Sequence, residues 1–361
     1  MNIIKLEVIP FSLKLKSALA WGKHGQLARA EHCLIRVSLE NGMVGVSECP
    51  PRPTIYGETI GSIKAAIGLL EPRICQLEIG DIDAIKDVLS SLPNNNCAKG
   101  ALDMALWEAR AAFLETPLLG LLGGVKPKLE TSFIVGIASF EAMLQEAKEV
   151  VKAGVRVLKV KVGRNTTADL KIIKALKTEF GDTVKLYADS NETLQTQNAA
   201  SALEQMQKAG LLYVEEPLPV RQIKARAALK RQAILPIIAD DSCFTPADLE
   251  RELDFDTFDI LNIKTARNGF TDSLAMIALA TQAGKGIMIG SQASSSTGIR
   301  HAAMLSSRLE VTHPNELAFF LKLESDITSH TPKLEQGYLD LADVSAMTLN
   351  QAALEAALHA G

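Results

Sequence analysis

Histidine and cysteine are scarce in this chain of 361 residues, and neither is grouped. The six histidines never cluster, which argues against a histidine-built zinc site. The five cysteines (Cys33, Cys49, Cys75, Cys97 and Cys243) are odd in number and lack any CxxC spacing. Reduced thiols and a cytoplasmic location are therefore expected. No apolar run approaches the roughly 18 residues of a membrane span. The opening MNIIKLEVIPFSLKLKS lacks the long apolar core and cleavage site of a signal peptide. Basic excess is missing as well: a formal net charge of −4 gives no electrostatic footprint for nucleic acid. Neither nucleic acid nor membrane is expected as a partner. What remains, 47% apolar and 22% charged residues, is the composition of an ordinary globular protein.

The length exceeds the about 250–300 residues at which single cores stop growing, so more than one unit is expected. Residues 1–60 alternate in a β manner, with ENG (40–42) as a hairpin signal between two apolar runs. From about 58 to 121 the pattern turns helical, and residues 1–125 read as a small α+β domain. Beyond it, strand and helix patterns alternate. Strands are expected at ETSFIVG, VRVLKVKVG, VKLYADSN, LLYVEEP, LPIIADDS, FDILNIKT and KGIMIGSQ, with a weaker one in NELAFFL. Eight such units predict a (β/α)8-type, TIM-like barrel over 126–325. A doubly wound open sheet is the competitor, but no GxGxxG follows the first strand.

The second of these strands raises a question. In VLKVKVG (157–163), Val157, Lys159 and Lys161 share one face of an otherwise buried strand. Burying an unpaired ammonium is costly, and two neighbouring ones also repel. Charged residues recur at the ends of the following strands: Asp189 and Asn191, Glu215 and Glu216, Asp240 and Asp241, then Lys264. The steps from Lys161 to Asp189, Glu215, Asp240 and Lys264 are 28, 26, 25 and 24 residues, one β/α unit each. Barrel active sites form at these strand ends. Any one of the acids could simply cap a helix, and Glu216 and Asp241 suit that role. Three carboxylates in one mouth repel unless a hard divalent cation joins them, and oxygen-only donors favour Mg²⁺. Lys161 and Lys264 would then flank a substrate carboxylate from opposite walls and move its α-proton.

These residues resemble the enolase superfamily, in its muconate lactonizing enzyme subgroup. LKVKVG, ADSNET, VEEPL, IIADDS and LNIKTARNGF match that subgroup's strand-end motifs in order, and GALDMALWEARAAFLETPLLGLLGG resembles the helix leading from its capping domain into the barrel. The resemblance implies an N-terminal capping domain and metal ligation by Asp189, Glu215 and Asp240, with Mg²⁺ or Mn²⁺ as the ion. It implies Lys161 and Lys264 as acid and base, and Lys159 as the group that holds the substrate carboxylate. Asn191 and Asp241 would support the ligands from behind. Two capping loops, 17–26 and 50–58, would close the site, and the segment 326–361 would pack back on that domain. Trp21, Lys23, His24, Arg52, Tyr56, Ser294 and Glu316 are candidate substrate contacts; Arg267 and Arg300 could likewise meet a distal carboxylate. The partner implied is a small carboxylate, and the assembly a homo-oligomer, dimer or octamer.

Two departures bear on the reaction. The subgroup's lactonizing enzymes and dipeptide epimerases usually carry a glutamate after strand seven, where GSQASSSTG places Ser294. Dipeptide epimerases also carry Asp-x-Asp on strand eight, where HPNELAFFLKLESDI has Glu316 but no such pair. A muconate-type cycloisomerase is therefore the leading expectation. Racemases or epimerases of N-acylamino acids or dipeptides, and o-succinylbenzoate synthase, follow. A binding protein on an inherited barrel would show a broken site, and no expected ligand or lysine is missing.

Overall fold

The computed structural model describes residues 1–358. Strands β1 (Ile3–Trp21), β2 (Gly25–Leu39) and β3 (Val44–Cys49) form an antiparallel sheet in that order. The β2–β3 hairpin turns at the expected ENG, with Gly42 at φ 85°. Helices α1 (Ile60–Ile74), α2 (Ile82–Ser90) and α3 (Asn96–Phe113) cover one face of this sheet and share a core with it that includes Ile35, Val37, Ile63, Ile67 and Leu102. The β1–β2 hairpin is long because its far end leaves the sheet and overhangs the barrel. There Arg164 Nε donates to Gly22 O at 2.7 Å, and Ile137 N to Ala20 O at 2.8 Å.

Short α4 (Leu118–Leu121) and β4 (Lys128–Glu130) lead into the barrel. Its strands are β5 (Phe133–Val135), β6 (Val157–Lys161), β7 (Lys185–Asp189), β8 (Val214–Glu215), β9 (Ile237–Ala239), β10 (Ile260–Ile263) and β11 (Gly286–Ile289), parallel and hydrogen-bonded in chain order. Helices α5 (Phe140–Lys152), α6 (Thr166–Phe180), α7 (Thr196–Lys208), α8 (Ile223–Lys230), α9 (Pro246–Asp254), α10 (Thr265–Gln282) and α11 (Ser296–Ser306) alternate with them. The eighth expected strand is not a strand. It shrinks to a bridge at Asn315, whose backbone N–H donates to Glu130 O while Glu316 N reaches Ile289 O on β11. Ser132 N returns to Asn315 O at 2.7 Å, so this short extended piece still links the two edges. The side-chain needs of Asn315 explain the irregularity: its Oδ1 accepts from Ile289 N and its Nδ2 donates to Glu130 O. Among the described residues, no helix is long and apolar enough to cross a membrane.

Chain alternation sorts the barrel interior into layers. Val157, Tyr187, Tyr213, Ile238, Ile260 and Met288 form a separate buried apolar cluster. Two residues further along the same strands stand Lys159, Asp189, Glu215, Asp240, Asn262 and Gly290. An apolar plug thus closes the lower end, and the charged layer lies above it, beneath the overhanging hairpin and the 50–58 loop.

The seam between the N-terminal unit and the barrel is built from buried carboxylates. Glu48 at the end of β3 accepts from Ser295 N (2.9 Å), Ser295 Oγ (2.8 Å) and Gly298 N (2.8 Å) at the start of α11, and from His32 Nδ1. Asp103 on α3 accepts from Phe270 N at 2.6 Å and from Thr271 N and Oγ1 at 2.9 and 2.5 Å. These bonds cap α10 where it restarts after a break at Gly269 (φ 62°). Gly100 lets α3 approach that break: a Cβ there would lie 2.9 Å from Arg267 C and Gly269 N. Glu108 pairs with Arg300 and His301 of α11. At the far end of the chain, after α12 (Leu341–Ser345), α13 (Gln351–Ala357) lies beside β1, with a bridge from Leu358 to Phe11.

Candidate active site

The pairing register brings the charged strand ends together. Lys161 is opposite Asp189, and Asp189 opposite Glu215, in the β6–β7–β8 ladder. Lys159, 1% exposed, puts Nζ 2.6 Å from Glu215 Oε1, 2.5 Å from Glu316 Oε1 and 3.1 Å from Asp189 Oδ2. Lys161 Nζ lies 2.5 Å from Asp189 Oδ2 and 3.1 Å from Asn191 Oδ1. Across the mouth Lys264 Nζ pairs with Asp240 Oδ2. Arg267 NH2 holds the same aspartate by its Oδ1 (3.0 Å) and its backbone carbonyl (2.8 Å). Three strands, β7 to β9, separate the two lysine-bearing strands β6 and β10 in the sheet. Strand β6 tolerates both ammoniums because Lys159 is met by three carboxylates and Lys161 by Asp189.

Electrostatics follow from this packing. Burial opposes the charge of Lys159, but Asp189, Glu215 and Glu316 outweigh it and hold the ammonium well above its ordinary pKa. Burial also opposes the charge of Lys264, yet Asp240 and then Glu316 and Glu215 raise it. Asp189 and Asp240 would be raised by burial but are held low, by Lys159 and Lys161 in one case and by Lys264 and Arg267 in the other. Glu215 differs. Burial and then the neighbouring charges of Asp189, Asp240 and Glu316 push its carboxyl well up, with Lys159 the cation that resists. Asp241 rises to about 7 through burial and the charge of Asp240.

As the side chains stand, no three His, Cys, Asp or Glu residues among those described converge as a metal cage, because ammonium groups lie between the acids. The donor set nevertheless fits a hard divalent cation. Asp189, Glu215 and Asp240 offer only oxygens from adjacent strand ends, and the mutual repulsion recorded at Glu215 is what a shared cation relieves. Glu216 takes the structural role foreseen for it. It points away from the mouth and accepts from Asp240 N (2.7 Å), Ser242 N (2.9 Å) and Ser242 Oγ (2.6 Å), fixing the turn that presents Asp240.

The mouth holds a cavity of about 50 Å³. Leu19, Trp21, Leu27 and Ile55 roof it, and Lys159, Lys161, Asn191, Asp240, Asp241, Lys264 and Glu316 form its floor. Several expected contacts fall elsewhere. Lys23 and His24 are exposed in the β1–β2 turn, which Gly22 (φ 50°) directs outward, and they do not line the cavity. Tyr56 packs its ring against Phe244 at 5.3 Å instead. Arg52 reaches the mouth, but its guanidinium donates to Pro51 O and Gln292 O and lies 3.0 Å from His32 Nε2, so it is committed to holding the loop. Ser294 is turned under α11, where its N–H meets Ser291 Oγ; Ser291, Gln292 and Ala293 line the cavity in its place. Arg300 is held by Glu108 in the seam. Glu316 is present, yet it clasps Lys159 and accepts from Ser291 N at 2.9 Å. Asn262, missed in the sequence, donates to Glu215 Oε2 at 3.1 Å; its place two residues before Lys264 on the inward face was the available signal.

Known proteins match the chain in sequence and in fold. Residues 20–123 match the family model for the mandelate racemase/muconate lactonizing enzyme N-terminal domain, and residues 142–345 match the enolase C-terminal domain-like model. The chain belongs to the enolase superfamily. Its subgroup is that of the muconate lactonizing enzymes. It is 32% identical over 313 residues to an L-Ala-D/L-Glu epimerase of Bacillus subtilis, covering 84% of each chain. A muconate lactonizing enzyme of Mycobacterium smegmatis, solved with muconolactone, superposes with a TM-score of 0.94 at 31% identity, covering 99% of this chain and 100% of the other. A dipeptide epimerase of Enterococcus faecalis, solved with Mg and the dipeptide L-Leu-L-Tyr, gives a TM-score of 0.88 at 29% identity over 94% and 97% of the two chains.

Proposed function

We propose that this enolase-superfamily member is a Mg²⁺-dependent epimerase that inverts the α-carbon of a small carboxylate of the dipeptide or N-acylamino acid type. One observation carries the reading: two nearly buried amines, Lys161 and Lys264, stand on walls with three strands between them, each beside its own aspartate. A substrate α-carbon between them presents one face to each amine. The neutral amine takes the α-proton, and the C–H electron pair delocalises into the substrate carboxylate. The opposite ammonium then gives a proton to the other face, which inverts the centre; the reverse reaction exchanges the two roles. Lys159, fixed by three carboxylates, supplies positive charge at the mouth floor. Asp189, Glu215 and Asp240 would hold Mg²⁺, whose charge would stabilise the enolate.

This order corrects the expectation from sequence, which set muconate cycloisomerisation first. Similarity to named epimerases over most of the chain now favours proton transfer on one carbon. The cycloisomerase reading retains one specific support beside the structural match: the strand-eight segment carries no Asp-x-Asp pair, and Glu316 is occupied by Lys159. Incubation of the purified protein with Mg²⁺ in D₂O, with dipeptides, N-acylamino acids and muconates, separates the two by NMR. Loss of the α-proton signal with inversion is expected. Lactone formation from muconate, with no α-exchange in any amino-acid derivative, would refute the proposal.

A further inference from the structure

A second cavity lies outside the barrel mouth and shares Arg267 with the wall of the site. A groove of about 210 Å³ lies between α2 and α3 on one side and the start of α10 on the other. Ile85, Leu89 and Trp107 give it an apolar wall. Its inner end is polar and unsatisfied. Arg267 and Asn268 are 3% and 5% exposed; Arg267 Nε and Asn268 Oδ1 have no hydrogen-bond partner among the described residues, and Arg267 NH1 has only Asp241 Oδ1 at 3.7 Å. Its rim carries Lys86, Arg110 and Lys99, whose Nζ donates to Leu92 O at 2.9 Å, and one acid, Asp272, whose carboxylate has no hydrogen bond among the described residues. Asp103 also borders the groove, but its oxygens are taken by the α10 backbone and Thr271.

Each feature excludes a class of occupant. An apolar molecule would leave the buried Arg267 Nε–H and Asn268 Oδ1 unpaired, which is unfavourable. A simple anion would leave Asn268 Oδ1 and Asp272 without a donor, and a simple cation would face a basic rim. A molecule with an acceptor head, an adjacent donor and an apolar arm answers all three. We propose that the groove binds a free apolar amino acid. Its carboxylate faces Arg267 and Lys99, its ammonium faces Asn268 Oδ1 and Asp272, and its side chain lies on Ile85, Leu89 and Trp107. Arg267 also grips Asp240, so the occupant stands one side chain away from the reactive mouth.

Only two tryptophans exist, Trp21 over the mouth and Trp107 in the groove, so a Trp21→Phe variant reports on Trp107 alone. L-Leucine titrated into it, with calorimetry on the unaltered protein in parallel, should give a saturable response. Isocaproate, which lacks the ammonium, and isoamylamine, which lacks the carboxylate, should bind at least about tenfold more weakly. Ile82→Glu, on the partly exposed face of α2 lining the groove, should abolish binding, and Asp272→Asn should weaken it about tenfold. Absence of any leucine response, equal affinity for isocaproate, or unaltered affinity in both variants would overturn the assignment.

Discussion

The mouth of the barrel and the seam beneath the N-terminal unit both bury carboxylates, but they finish them differently. In the seam, Glu48, Asp103 and Glu108 are met by backbone N–H groups, hydroxyls or cations held in helices, and nearly every lone pair has a fixed partner. In the mouth, Glu215 receives no backbone donor; its partners are the Lys159 ammonium and the Asn262 amide. Lys161 and Lys264 reach their aspartates on flexible four-carbon stems. The seam is built to stay as it is. The mouth holds oxygens and amines whose partners can be exchanged for those of a metal and a substrate, and that is the property a proton-transfer site needs.

The contrast gives ordered expectations. Lys161→Ala and Lys264→Ala should each lower turnover by about 10²–10⁴-fold, the worth of a positioned acid or base, while the thermal midpoint stays within a few degrees. Large destabilisation in both would place these lysines with the seam. Glu48→Ala should do the opposite, costing about 3–5 kcal/mol in urea unfolding, because His32 and Arg52 would remain buried beside uncapped α11 amides. A loss under about 1 kcal/mol would break the comparison.

The third expectation concerns pH. Burial works against Glu108, but His301 and Arg300 hold its carboxyl down to about 2, against an ordinary 4.5. A depressed carboxylate stabilises the fold above its unfolded pKa and loses that contribution as pH falls from about 4.5 toward 2. The penalty of Glu108→Gln, of order 3 kcal/mol at pH 7, should therefore shrink at pH 3 in denaturant melts. An equal penalty at both values would mean that the ion pairs contribute nothing. Smallest is the linked effect of the cation. Mg²⁺ at about 100 times its Kd should stabilise the protein by about 2.7 kcal/mol, and Glu215→Gln should remove most of that gain. An unchanged Mg²⁺ response would exclude Glu215 as a ligand.

The sequence disclosed the mouth more fully than the seam, for a physical reason. Residues at the ends of parallel strands recur once per β/α unit, so Lys161, Asp189, Glu215, Asp240 and Lys264 announce themselves by spacing. Glu48, Asp103 and Glu108 make contacts across 160 residues or more, and nothing local to them distinguishes a capping acid from a surface one. Loop residues fared worst. Which of Trp21, Lys23 and His24 faces the mouth depends on one glycine turn, and nothing near Arg52 in sequence reveals its buried partners His32 and Gln292. The eighth strand was placed correctly in the order, but Asn315 satisfies its neighbours through its side chain and only a single bridge forms.

The decisive measurement is deuterium incorporation at the α-carbon, resolved by enantiomer, in the Lys161→Ala and Lys264→Ala proteins with a substrate that the unaltered protein exchanges. Each variant should retain exchange with one enantiomer only, and the two should retain opposite ones. Exchange of both enantiomers by either variant, or of the same one by both, would show that the amines do not serve opposite faces of one carbon.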